Sequence, residues 1–333
     1  MLDLIFFAAV GLVLWWTFWS GFSDASNAIT TVVATRVLHP WQAVLLASTG
    51  NLIGMLFLGE AVAITVGKGV VDPSIVSPFL VITAILGGTA WEYITYKKGI
   101  PISETQVLIA TLAGAAVAAA GLSVVKFESI LFKILIPMAL APVVAFVAVL
   151  IFVAILLRIV KNFATQTLNN HFKKLQLLSS AFFSIAHGVN DGQKSTGILA
   201  AMFIFYGVNT GGEIVPLWLK VIIFLALSLG TLFGGWRIVQ TMGFKLAKLQ
   251  PWQGFAGETS AAIVVGGASA LGFPLSTSQT VAGSIMGVSA AKGGHAINMH
   301  VVREILIGWA LTIPISFILG FLSYAIIARI FGF

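Results

Sequence analysis

Two aspartates stand where carboxylates are costly. Asp24 lies in "GFSDASNA", between Ser23 and Asn27, and Asp191 lies in "GVNDGQKS", between Asn190 and Gln193-Lys194, each inside long apolar sequence. At bilayer depth a carboxylate costs about 2.5–3.5 kcal/mol even on lenient insertion scales, so it needs a charge, an ion or a proton as partner. Lys194 could supply that charge to Asp191 from three residues away on a helix; Asp24 has no cation nearby in sequence. Ser23, Asn27, Asn190 and Gln193 add the oxygen donors that suit sodium or another hard cation. A plainer reading makes Ser23 and Asn190 turn residues that cap broken helices.

A second pair of clusters recurs farther along. "GIPISETQ" from Gly99 is nearly repeated as "GFPLSTSQ" from Gly272. Glycine permits a sharp reversal and proline interrupts a helix, so the polar residues that follow should open a new helix. Those residues are Ser103, Glu104, Thr105 and Gln106 in the first copy and Ser276, Thr277, Ser278 and Gln279 in the second. Helix N-termini present unpaired N–H groups and the positive end of the dipole, which suits an anion. Ordinary N-capping would use the same residue types. Acids beside a bound anion are compatible only if cations or protons accompany them, so the pattern implies cation-coupled movement of an anion. Glu104 has three possible roles: turned away from the anion, paired with Lys194, or a cation ligand.

These clusters need elements that place them at depth, and the composition supplies them. Of 333 residues, 59% are hydrophobic and 9% charged, against about 25% charged in soluble domains, and mean hydropathy is +1.03. The expected fold is an all-α polytopic membrane protein. Ten apolar stretches fit spans near 4–38, 41–58, 75–95, 101–122, 129–157, 175–207, 216–235, 253–270, 273–291 and 302–330, the first and sixth interrupted at the two aspartates. The chain divides into 1–157, a polar connector 158–174, and 175–333.

The halves match in order: Gly21 with Gly188, the GxxxG of "GNLIG" at Gly50 with "GTLFG" at Gly230, and Gly99 with Gly272. Five crossings per half would make the second an inverted repeat of the first, with broken or re-entrant segments meeting at the midplane. With the N-terminus outside, 12 Lys and Arg residues fall on the cytoplasmic side and five outside, as the positive-inside rule prefers. That puts both termini outside the plasma membrane and the connector in the cytoplasm. "MLDLIFF" lacks a basic n-region, so the first stretch should be retained.

Other chemistries fit poorly. There is no cysteine, which removes thiolate catalysis and Cys-ligated metals. The five histidines show no zinc-site spacing, no basic run suggests nucleic acid, and no nucleotide loop or cofactor motif is present. Ser-x-x-Lys occurs at both Lys126 and Lys292 and looks accidental. An aspartyl enzyme or a channel would use the acids differently, and gradient-driven uptake separates those classes. A homodimer is left open as the assembly.

"GFSDASNA" and "GVNDGQK" resemble the G-A-N-D-V-A-N-A and G-A-N-D-x-Q-K signatures of the PiT inorganic phosphate transporters, and "PISETQ" and "PLSTSQ" are similar to that family's paired serine-rich segments. The resemblance implies a symporter for inorganic phosphate coupled to sodium or protons. By motif position, Ser23, Asp24, Asn27, Asn190 and Asp191 would serve sodium, with Glu104, Gln193 and Lys194 as further candidates. Ser103, Thr105, Gln106, Ser276, Thr277, Ser278 and Gln279 would serve phosphate. Gln106 and Gln279 stand where many relatives carry histidine, which removes a titrating relay there and favours sodium, with proton or metal–phosphate coupling as the alternative.

Overall fold

Lipid offers no water to backbone N–H and C=O groups, so a chain this apolar satisfies them inside helices. A computed structural model describes residues 2–57, 59–160, 165–208, 213–291 and 296–332; Lys161, Lys292 and His295 lie outside them. Among the described residues the chain is helical, and β pairing is limited to isolated bridges at Val71–Val125 and Ala247–Ile297.

The first half runs through α1 (Leu2–Ala34), α2 (Pro40–Gly54) and α3 (Ala61–Gly69), with an 84° bend between the last two. α4 (Pro78–Lys98) and α5 (Glu104–Ala120) form a hairpin; α6 (Phe127–Ile130) then passes through a π-turn into α7 (Ile136–Val160). The second half repeats this order. α8 (Thr165–Phe205) is followed by α9 (Leu217–Phe233) and α10 (Trp236–Val239), with a 57° bend, then by a second hairpin of α11 (Pro251–Ala270) and α12 (Thr277–Ala290), and by α13 (Met299–Phe331). The correspondence reaches single residues: Pro142 inside α7 matches Pro314 inside α13.

Helix partners are exchanged between the halves, as a twofold relation requires. α1 packs on α9 and α2 on α8; α5 packs on α13 and α12 on α7. Glycines permit the approach. A Cβ on Gly230 would lie 1.9 Å from the Phe18 carbonyl oxygen, and one on Gly21 2.0 Å from that of Leu227. Of the GxxxG glycines, Gly230 thus lies in a close seam with α1. A Cβ on Gly50 would come 2.4 Å from Ser184 Cβ, and one on Gly54 2.9 Å from the Ile185 carbonyl oxygen, both on α8, whereas Gly234 meets its near neighbour Trp236.

Three expectations need correction. α1 and α8 are not interrupted at the aspartates; both are continuous, with 33 and 41 residues. Their polar side chains find partners laterally on other elements, so the backbone keeps its own ladder. The connector is largely helical, since α7 extends to Val160 and α8 begins at Thr165; residues 161–164 lie outside the described residues. Finally, among the described residues four helices are long and apolar enough to cross a membrane, or six if each bent pair is one span, rather than ten. With 17 and 14 residues, α5 and α12 fall short of the ~20 that a span needs, and α8 buries polar side chains in the protein interior rather than facing lipid. The surface that remains is apolar, as along α7, where Leu140, Val144, Val147, Ile151 and Ile155 are exposed.

Candidate functional site

Each hairpin reverses at a glycine in the left-handed region, Gly99 (φ +69°) and Gly272 (φ +81°), which side-chain-bearing residues rarely adopt. A threonine from the opposite half fastens each turn. Thr241 Oγ1 donates to the Gly99 carbonyl at 2.7 Å, and Thr65 Oγ1 donates to the Gly272 carbonyl at 2.7 Å. Trp309 Nε1 adds a bond to the Pro101 carbonyl at 3.0 Å. The turns are thus held inside the protein, with Pro101, Ser103 and Ser276 buried.

The two new helices begin as the sequence predicts. Ser103 Oγ accepts the Gln106 N–H at 3.2 Å, and Ser276 Oγ accepts the Gln279 N–H at 3.3 Å. Both hydroxyls act as N-caps through their lone pairs, which leaves their own O–H protons uncommitted by the caps. The tips then touch: Thr105 Oγ1 donates to the Leu275 carbonyl at 3.0 Å. Asn190 brackets the same residue, donating to its carbonyl at 3.1 Å and accepting its N–H at 3.3 Å. The amide oxygens of Gln106 and Gln279 are buried and accept no hydrogen bond.

The aspartates face these tips but have unlike surroundings. Asp24 receives the hydroxyls of Ser278 (3.2 Å) and Thr277 (3.4 Å), both long contacts. Asn27 donates to those hydroxyls at 3.0 and 3.1 Å, while its own Oδ1 is buried without a partner. Asp191 instead receives Lys194 Nζ at 2.6 Å and Asn190 Nδ2 at 2.8 Å on one oxygen, and its other oxygen lies 3.1 Å from His187 Nε2. His187 Nδ1 meets Asn51 Oδ1 at 3.0 Å. Ligand atoms of Asp24, His187 and Asp191 lie within 4.8 Å of one another.

Two further candidates are committed elsewhere. Glu104 takes the hydroxyls of Ser20 and Ser23 on α1, and among the described residues it makes no ion pair with Lys194. Gln193 Oε1 accepts the N–H groups of Val62 and Ala63 and caps α3 rather than facing the aspartates. Asp24, Glu104, Asp191 and Lys194 are each at most 4% exposed. Three acids against one lysine leave an excess of carboxylate that the interior cannot hold as bare charge, so protons or cations must accompany it.

The model of the phosphate transporter family matches residues 20–320. The chain belongs to that family. A "probable low-affinity inorganic phosphate transporter" of Rhizobium meliloti (strain 1021) is 39% identical over 324 residues, covering 96% of this chain and 97% of the relative. A protein of the same name from Bacillus subtilis (strain 168) is 36% identical, covering 94% of each. A solved structure described as "The sodium-dependent phosphate transporter" superposes with a TM-score of 0.88 at 23% identity, covering 98% of this chain and 99% of the other. That likeness shows the fold shared by the family.

Several site residues escaped the sequence reading. His187 sits four residues before Asp191, a helical spacing that was visible but looked like no known metal pattern. Thr65, Thr241 and Trp309 carried no local signal at all, because their role lies in reaching a turn in the other half or in a distant helix. Two further buried acids lie outside the repeated motifs: Glu92, which accepts Trp16 Nε1 at 3.1 Å, and Glu258, which takes the hydroxyls of Thr31 and Ser179.

Proposed function

We propose that this member of the phosphate transporter family is a secondary active symporter that moves inorganic phosphate across the plasma membrane down a sodium gradient. One observation carries the reading: two repeat-related helix N-termini meet through Thr105 and Leu275, beside two buried aspartates and with the amide oxygens of Gln106 and Gln279 buried and unpartnered. Phosphate binds between the tips, taking donors from Gln106, Gln279 and the free N–H groups of α5 and α12. The Thr105, Thr277 and Ser278 hydroxyls add to these once they turn from Leu275 and Asp24. The amides of Gln106 and Gln279 can turn to present N–H groups. Sodium draws on Asp24 and Asn27, with Ser23 beside them, and Asp191 with Asn190 forms the repeat-related second cation position. Each cation offsets the repulsion between acid and anion, which couples the two ligands.

The halves 1–157 and 175–333 act as inverted repeats, with the hairpins re-entering from opposite sides. Both termini lie outside and the segment between α7 and α8 in the cytoplasm, the orientation that keeps most Lys and Arg residues on the inner side. A proton-coupled version would use His187, whose Nε2 lies 3.1 Å from Asp191. Proteoliposome uptake of radiolabelled phosphate decides between them. Accumulation driven by a sodium gradient at constant pH is the expected result; accumulation driven by a pH gradient without sodium would replace sodium by protons, and enzymatic turnover of phosphate without accumulation would remove the transporter reading.

A further inference from the structure

The two aspartates occupy equivalent places in the repeat, yet one is an open site and the other is closed. Aligning Asp24 with Asp191 places Asn27 opposite Lys194, three residues on in each helix. In the first half that position is an amide whose Oδ1 is buried and unpartnered, beside a carboxylate touched only by long hydroxyl contacts. In the second half it is an ammonium, 1% exposed, 2.6 Å from the carboxylate. Asp191 is further enclosed by Asn190 and His187, whereas Asp24 has no cationic group within bonding distance among the described residues.

Building on the sodium reading above, we propose that Lys194 is a tethered coupling cation: its ammonium fills the second-half position that a sodium ion fills in the first, so the transporter binds one sodium ion fewer per cycle than its repeat architecture provides for. An ammonium is a compact point charge that can stand in for a monovalent cation beside a carboxylate. Because it is covalently held, it neutralises Asp191 in every conformation and is never released. It therefore adds to phosphate attraction and contributes nothing to the gradient-derived driving force. A sodium ion at the first site needs Asp24 and the idle Asn27 Oδ1, and both are available. The ion in the second site is already present as a side chain.

Lys194→Asn recreates the first-half pair in the second half and opens that position. Radiolabelled sodium and phosphate uptake, measured together in proteoliposomes, should show the sodium-to-phosphate ratio rising by one ion in Lys194→Asn relative to the wild type, with a steeper dependence of uptake on sodium concentration. The double variant Lys194→Asn/Asp191→Asn removes both charges and should return to the wild-type ratio. If Lys194→Asn is too unstable to transport, its melting temperature should climb more steeply with sodium than that of the wild type, since a ligand that binds only the folded state stabilises it. Wild-type uptake that ignores sodium would overturn the sodium reading, and this inference with it. Sodium-driven wild-type uptake, with an unchanged ratio and an unchanged sodium dependence of melting in Lys194→Asn, would overturn the tethered cation alone and leave Lys194 as a structural ion pair.

Discussion

Thr105 and Leu275, 170 residues apart, join the two hairpin tips through a hydroxyl-to-carbonyl bond of 3.0 Å. This bond fixes the separation of two helix N-termini that would otherwise belong to independent hairpins. Thr105→Val keeps the shape and removes the donor, and should cost about 1 kcal/mol of stability. The loss is limited because Asn190 still donates to the same carbonyl. Thermal melting should show a modest drop, with a larger change in phosphate affinity; equal, small effects on both would mean that the tips are held apart by other contacts.

Gln106→Ala and Gln279→Ala should each weaken phosphate binding by roughly 10- to 100-fold, the equivalent of losing one hydrogen bond to a charged group. Their effects should not add when combined, since both side chains face one ligand. Titration calorimetry of the purified variants reads this directly. Wild-type affinity in both would move the anion away from the tips.

Neutralising the two aspartates should have unlike consequences. Asp24→Asn abolishes sodium dependence while the melting temperature holds or rises, because a costly buried charge with only hydroxyl contacts is removed. Asp191→Asn strands the Lys194 ammonium in the interior and should destabilise the protein by about 3–5 kcal/mol, as breaking a buried pair does. Parallel melting curves for the two variants would contradict the asymmetry of the site.

Gly230→Ala places a methyl group against the Phe18 carbonyl, 1.9 Å away. Backbone cannot swing aside as a side chain can, so a loss of at least ~1–3 kcal/mol is expected from forcing α1 and α9 apart. Gly11→Ala, on the partner helix α1 and with nothing within 4 Å, is the control and should be neutral or slightly stabilising. The difference between their melting temperatures measures the seam itself.

Much of this was legible in the residues, and the parts that were not share a cause. Gly99 and Gly272 were readable because a turn demands a specific backbone conformation, and Ser103 and Ser276 because a cap lies three residues from its donor. The continuity of α1 and α8 was not readable. Asp24 and Asn27 look like helix breakers until Thr277 and Ser278 are known to lie against them, and that contact spans 250 residues. Glu104 was ambiguous for the same reason: its partners Ser20 and Ser23 lie on another helix. Local rules decide local geometry, whereas a buried polar side chain is decided by whichever distant element arrives to bond it.

The exchange of helix partners between the halves also has a consequence for synthesis. α1 packs on α9, α2 on α8, α5 on α13 and α7 on α12, so the half made first cannot complete its interior by itself. When the ribosome has passed Val160, Asp24 and Asn27 are already in place, but the hydroxyls that will meet them, Thr277 and Ser278, have yet to be translated. The nascent first half must wait in or beside the insertion machinery with its polar face uncovered. The α1–α9 and α2–α8 seams can form only as α8 and α9 insert between elements already threaded, and Asp24 acquires its final neighbours near the end of translation.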